Sequence, residues 1–310
     1  MAAIGNGLAP TPRRRLTLVE RLDAYERLMR LDKPIGTLLL LWPTLSALWL
    51  AADGAPRAST VLVFCVGTLV VRSAGCAMND WADRDYDAHV ARTAQRPLAT
   101  GVIAPWEALV VAAVGALAAF ALVLFTNRAT MLWSIPALAI AIAYPLSKRF
   151  FALPQAFLGI AFSFGIPMSY AAVQNRVPPL AWLLLAVNLF WVVAYDTEYA
   201  MVDRADDAKI GIRTSALTFG RFDIAAVATC YAIYVTGMVA IGYIYALGII
   251  YYAGLAAASF IAVQHVRMIR RRDPAACFRA FLGNHWLGMM VFAGIALDFA
   301  ARADRWPRAW

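Results

Sequence analysis

Residues 59–87 read STVLVFCVGTLVVRSAGCAM and then, without a break, NDWADRDYD. The first part carries one charge, Arg72, and has the length of a membrane-spanning helix, which needs roughly 20 mostly apolar residues. The second is dense in acid, so the chain reaches the edge of the bilayer at Asn79. Asn79, Asp83 and Asp87 recur every fourth residue, which on a helix sets them along one face.

Working outward, nine stretches qualify as spans: 35-52, 59-78, 105-126, 129-146, 153-174, 179-196, 222-243, 245-264 and 280-300. The expected fold class is therefore all-α, a polytopic membrane protein with nine transmembrane helices. The weakest division lies between the seventh and eighth, where Gly242, Tyr243 and Gly248 interrupt nearly continuous hydrophobicity. Composition points the same way, because 62% of the 310 residues are hydrophobic and 15% charged, against about 25% charged in a soluble domain. With a mean hydropathy of +0.64, the apolar residues are too many for one core, which disfavours a soluble enzyme and leaves lipid as the partner of the surface.

The net charge of +9 raises the question of nucleic acid, and the distribution of Lys and Arg answers against it. Seven lie before the first span and fourteen in the even-numbered loops, against six in the odd loops and C-terminus. The positive-inside rule then places the N-terminus in the cytoplasm, the C-terminus outside, and the even loops inside. Arg13 to Arg15 and Arg270 to Arg272 read as topology and headgroup signals. The first 34 residues are polar and basic, which disfavours a signal peptide. Three segments follow: 1-34 cytoplasmic, 35-300 a single transmembrane domain, and 301-310 a tail. The four cysteines form no CxxC pair and the three histidines lie far apart, so neither a disulfide framework nor a zinc site is expected.

The acidic pattern returns after the sixth span as DTEYAMVDRADD, residues 196–207, where Tyr199, Asp203 and Asp207 sit 120 residues after Asn79, Asp83 and Asp87. Two acidic faces at one edge of the bilayer make a set of hard oxygen ligands. Mg²⁺ is commonly held by one or two carboxylates plus substrate phosphates, so facing carboxylates suit a bridged diphosphate. Asp80, Asp85 and Asp206 fall off the common face and are expected to be solvated or helix-capping. A transporter or cation channel is a rival reading, but such sites usually lie near the midplane between inverted repeats, whereas these lie at span ends in a parallel repeat. A purely structural subunit would need no such spaced acid.

Arg72 sits seven residues before Asn79, two turns deeper on the same face. An arginine inside a span faces a cavity or a partner, and two roles suit it: counter-ion to the carboxylates, or bidentate anchor for a carboxylate on an acceptor. Tyr144, Lys148 and Arg149 lie in one loop, where they could neutralise a departing diphosphate. Arg30 and Lys33, before Pro34, suit the same work or topology alone. Among the aromatics, Trp42, Phe162, Phe164, Phe190 and Trp191 read mainly as core or lipid contact, with a few available to line a dry cavity.

Four segments carry a resemblance: RLDKPIGTLLLLWPT from Arg30, NDWADRDYDAHVARTAQRPLATG at 79–101, YPLSKR at 144–149 and DTEYAMVDRADDAKIGIRTSALTFG at 196–220. Together they resemble the UbiA-type intramembrane prenyltransferases, and the DKPIG and AMVDR text points to the branch acting on 4-hydroxybenzoate in ubiquinone biosynthesis. The resemblance implies nine helices around a central cavity open to lipid. It also implies Mg²⁺ and a polyprenyl diphosphate at Asn79, Asp83, Asp87, Asp196, Asp203 and Asp207, with Tyr144, Lys148 and Arg149 over the diphosphate and Arg72 near the aromatic acid. The implied reaction is transfer of the prenyl chain to the ring carbon ortho to the hydroxyl, with Asp203 polarising the phenol or taking its proton. Naphthoate, homogentisate and haem are the rival acceptors within the family.

Overall fold

The computed structural model describes residues 17–147, 151 and 153–302, and among them the regular structure is helical throughout. In chain order the helices are α1 (Leu18–Met29), α2 (Ile35–Ala51), α3 (Ala58–Asp87), α4 (Pro105–Val123), α5 (Arg128–Ser147), α6 (Pro154–Ser163), α7 (Gly165–Gln174), α8 (Pro179–Ile210), α9 (Ser215–Phe219), α10 (Asp223–Ile244), α11 (Ile249–Met268) and α12 (Pro274–Arg302). Among the described residues, seven helical units are long and apolar enough to cross a bilayer: α3, α4, α6 with α7, α8, α9 with α10, α11 and α12. The count falls short of nine because α2 has only 17 residues, and α5, with Pro136 and Pro145 inside it, is not among the seven. Each expected stretch nevertheless overlies a helix, and the weak division is a real turn: α10 stops at Ile244, Ala246 takes φ 48°, and Gly248 caps α11.

The sequence explains the segmentation. Prolines stand at or beside the starts of α4, α6, α8 and α12, where the missing N–H costs nothing. Left-handed residues close α1, α7 and α8, at Arg30, Asn175 and Gly211. Large apolar side chains stay exposed along α4 and α5, among them Leu117 at 69% and Ile135 at 64%, as expected of faces that meet lipid.

α8 is the organising element. It packs against α6, α10 and α12 and buries Trp191, Val192, Ala194 and Tyr195 in the main core, while α2 leans on α7 and α12. α3 packs instead on α4 and hardly touches α8. The turn-rich loop 88–104 joins them at one end. A second cluster (Ala24, Leu28, Ala77, Leu98, Ile103, Ala108) fastens that loop and α1 to the end of α3. α1 begins with a capping box between Thr17 and Glu20.

Candidate functional site at the ends of α3 and α8

Both acidic motifs lie on helices that run past their apolar spans, so the fourfold spacing does place their residues on continuous helical faces. On α3, Asn79 Nδ2 donates to Asp83 Oδ2 at 3.0 Å. Asp87, buried, accepts from Arg96 Nη1 at 2.8 and 3.0 Å. On α8, Asp203 accepts two bonds of 3.0 Å from Arg92 Nε and a further one from Arg92 Nη2. The Arg92 guanidinium also lies 4.3 Å over the Tyr199 ring, which packs 4.4 Å from Phe281. Ala91 N–H donates to Asp206 at 3.2 Å. Loop 88–104 thus stitches the two motifs together.

Arg92 and Arg96 were legible only as loop charge, yet they hold the two acidic faces. They stand four residues apart, the same interval as the acids they meet. Burial works against the charge on Arg96, but Asp80 and Asp87 more than offset it and raise its pKa. Arg92 follows the same pattern, with Tyr199 and Asp203 outweighing burial.

Asp80 departs from expectation. It is not solvated or capping but 1% exposed, bridged by Arg30 Nη2 at 2.9 and 3.0 Å and by Arg96 Nη1 at 3.0 Å. Periodicity turned it off the common face correctly, and that other face is covered by α1 and the loop rather than by water. The left-handed Arg30 ends α1 and sends its side chain to Asp80. Lys33 instead points to solvent beside Asp32, 3.8 Å away. Asp85 is exposed as expected.

Asp196 is half-buried and Asp207 buried on α8, and Tyr144 is half-buried near the end of α5. Lys148 and Arg149 lie outside the described residues. Among the described residues, no three His, Cys, Asp or Glu side chains converge on one point, because Asp87 is drawn to Arg96 and Asp203 to Arg92. The donor chemistry at this mouth is all oxygen, carboxylates with one amide, which fits a hard cation and not a soft one.

Deeper in, Arg72 is half-buried with its guanidinium against α2, where a Cβ added to Gly36 would come within 2.5 Å of Nε. Its foremost electrostatic neighbours are Arg30, Tyr144, Tyr195 and Tyr199. Among the described residues it makes no ion pair with a carboxylate, which argues against the counter-ion role. Of the aromatics singled out, Trp191 is buried against Tyr195 and Tyr234, Trp42 stacks on Phe292, and Phe164 packs with Trp133 and Trp182.

Similarity to known proteins runs over the same ground. The model of the UbiA prenyltransferase family matches residues 40–289. A protein of Nitrosospira multiformis named 4-hydroxybenzoate octaprenyltransferase is 57% identical over 288 residues, 93% of this chain and 99% of that one. Among solved structures, the apo form of a UbiA homolog from Aeropyrum pernix K1 superposes with a TM-score of 0.75 at 27% identity, covering 84% of this chain and 97% of that one. A UbiA homolog from Archaeoglobus fulgidus bound to GPP and Mg²⁺ shares the fold, with a TM-score of 0.64 at 18% identity over 88% and 99% of the two chains.

Proposed function

The chain belongs to the UbiA prenyltransferase family, and from that premise we propose how its own residues carry out the reaction. It is a multi-pass membrane enzyme, a 4-hydroxybenzoate polyprenyltransferase of ubiquinone biosynthesis. The observation that carries the geometric reading is the bridged mouth: two acidic helix ends, four residues per step, laced by arginines from one loop. Such a place suits a diphosphate, whose anion needs guanidinium donors and whose counter-cation needs carboxylates.

In this reading Asn79, Asp83, Asp87, Asp196, Asp203 and Asp207 hold Mg²⁺. Bound there, the ion would supply Lewis-acid stabilisation of the diphosphate as it leaves. Arg30, Arg92 and Arg96 surround the same mouth, and Tyr144 near the end of α5, with Lys148 and Arg149 just after it in sequence, adds a phenol and two cations. All of them stabilise charge that develops on the leaving oxygen. The prenyl chain extends between α3 and α8, where apolar and aromatic side chains exclude water from the allylic cation. Arg72 holds the carboxylate of 4-hydroxybenzoate by its fork of N–H donors. The ring carbon ortho to the hydroxyl then attacks the prenyl C1 as the C–O bond to diphosphate breaks, and the ring proton departs. Asp203 polarises the phenol or receives its proton.

The architecture around this site is nine membrane helices about a central cavity, counting α2 and α5 with the seven longer units, in one domain over 35-300. Residues 1-34 lie in the cytoplasm and 301-310 form a periplasmic tail, in a bacterial inner membrane. The excess of Lys and Arg in the even loops supports that orientation. Cysteines placed at Gln95 and Ala205, both exposed, should react with impermeant reagents from the cytoplasmic side alone; labelling from outside reverses it. The reaction itself is tested by supplying membranes with polyprenyl diphosphate and labelled 4-hydroxybenzoate. Carbon-prenylated product should form with Mg²⁺ and vanish with EDTA, and its absence with Mg²⁺ would overturn the assignment.

A further inference from the structure

Among the described residues, two polar atoms near the inner end of the site are fully buried without a hydrogen-bond partner: Arg72 Nε on α3 and the Tyr195 hydroxyl on α8. A buried group left unsatisfied costs about 1–3 kcal/mol, so one such atom invites an explanation. These two come from helices that hardly touch, yet each lies in the other's electrostatic field. Both are donors, since a guanidinium N–H cannot accept and the Tyr195 O–H donates to no oxygen among the described residues.

We propose that Tyr195 is a specificity-determining residue of the acceptor subsite, its O–H and the Nε–H of Arg72 forming a two-donor seat for the carboxylate of an aromatic acid. The proposal rests on the reaction assigned above and deepens it.

Each donor is fixed in place before a ligand arrives. The Tyr195 ring is 1% exposed, set edge-on to Trp191 with centroids 5.4 Å apart and against Phe281 at 6.2 Å, so its hydroxyl cannot swing away. The Arg72 guanidinium fills the space left by the missing side chain of Gly36. Apart from the cation Arg30, the foremost neighbours of Arg72 are Tyr144, Tyr195 and Tyr199, and the field at Tyr195 comes foremost from Asp196 and Arg72. Both atoms of the seat are donors and one belongs to a cation, so what completes it is an anion with an oxygen lone pair.

The seat lies at the inner edge of the acidic mouth. Arg72 is seven residues from Asn79 along α3, about 10 Å at about 1.5 Å per residue, and eleven from Asp83, while Tyr195 stands next to Asp196 and eight residues, about 12 Å, from Asp203. An aromatic acid held there by its carboxylate has room along the helices to point its hydroxyl edge toward Asp83 and Asp203.

The test removes one oxygen. Tyr195→Phe keeps the ring contacts and should raise the KM for 4-hydroxybenzoate about tenfold or more, because a hydrogen bond to a charged group contributes about 1.5–3 kcal/mol. The KM for polyprenyl diphosphate should stay within about twofold, because the lost hydroxyl donates to the acceptor's carboxylate and not to the diphosphate. With methyl 4-hydroxybenzoate, used as substrate or competing ligand, wild type and variant should differ little, since the ester presents no anion to the seat. Gly36→Ala, which displaces the guanidinium, should give the same acceptor-only pattern. An unchanged acceptor KM in Tyr195→Phe, an equal loss with acid and ester, or a joint rise in both substrates' constants would each overturn the proposal. Failure of the wild-type protein to prenylate 4-hydroxybenzoate would overturn the assigned reaction instead.

Discussion

The acidic ends of α3 and α8 share one spacing and are held in opposite ways. At α3 the support is ionic and lies at the mouth: Arg30 and Arg96 clamp Asp80, Arg96 clamps Asp87, and α1 with loop 88–104 wraps the outside. At α8 Arg92 clamps Asp203, and the helix is braced from behind by a dry polar net. There Glu198, wholly buried, accepts from Tyr231 and Asn284 at 2.9 Å, Asn284 Oδ1 accepts from Trp191 Nε1 at 2.9 Å, and His265 Nδ1 lies 3.2 Å from the Tyr231 hydroxyl. The net ties α8 to α10, α11 and α12. A charged ligand offers the arginines of an ionic clamp another anion to hold, whereas a net enclosed between helices cannot be opened without leaving donors unsatisfied. One half of the site is therefore built to rearrange and the other to stay still.

The largest effects should come from the paired acids themselves. Asp83→Ala and Asp203→Ala are each expected to lower transfer at least about 100-fold, the scale for removing one preorganised charge contact, with normal amounts of folded protein in the membrane. Near-normal turnover by either at saturating Mg²⁺ would break the equivalence of the two motifs. Arg72→Ala should raise the KM for 4-hydroxybenzoate about ten- to a hundredfold, and Lys should rescue only in part, lacking the planar fork. A loss of diphosphate affinity with the acceptor constant unchanged would return Arg72 to the role of counter-ion.

Smaller effects sharpen the contrast between the two supports. Asn284→Ala deprives Glu198 of a donor and Trp191 of an acceptor, so it should destabilise the protein by about 2–4 kcal/mol, seen as a lower thermal midpoint in detergent. Arg92→Ala removes a clamp at the half-exposed mouth, where an ion pair contributes at most about 1 kcal/mol. Its thermal midpoint should barely move while the KM for polyprenyl diphosphate rises. If Arg92→Ala melts the protein and Asn284→Ala does not, the assignment of rigid and exchangeable halves is reversed.

What the sequence made legible was the part governed by local periodicity. The apolar runs became helices, and the acidic repeats lie on helical faces at matching positions because spacing along one helix needs no tertiary knowledge. Asp80 shows where this stops: the pattern told which way it turned but not that Arg30, fifty residues earlier, and Arg96, sixteen later, would meet it there. Glu198 was submerged in the acidic stretch 196–207 while His265 and Asn284 lay far off in apolar spans, and only the packing of α8, α11 and α12 makes them one group. Tyr195 was hidden for the same reason, since a tyrosine beside an acidic motif announces nothing until its hydroxyl is found without a partner.

α8 has 32 residues and α3 has 30, which at about 1.5 Å per residue gives about 48 and 45 Å, against a hydrocarbon layer of about 30 Å. Each helix therefore stands well proud of the oil, and the acid-bearing turns occupy the headgroup layer. An amphiphile with a charged head and a long greasy tail already floats at that depth. Its head can dock without being stripped of its hydration and carried into hydrocarbon, a transfer that costs several kcal/mol for every ion moved. The protein meets such a molecule where the membrane has already sorted it, head to the arginines and tail to the lipid, and needs no entrance of its own from the water.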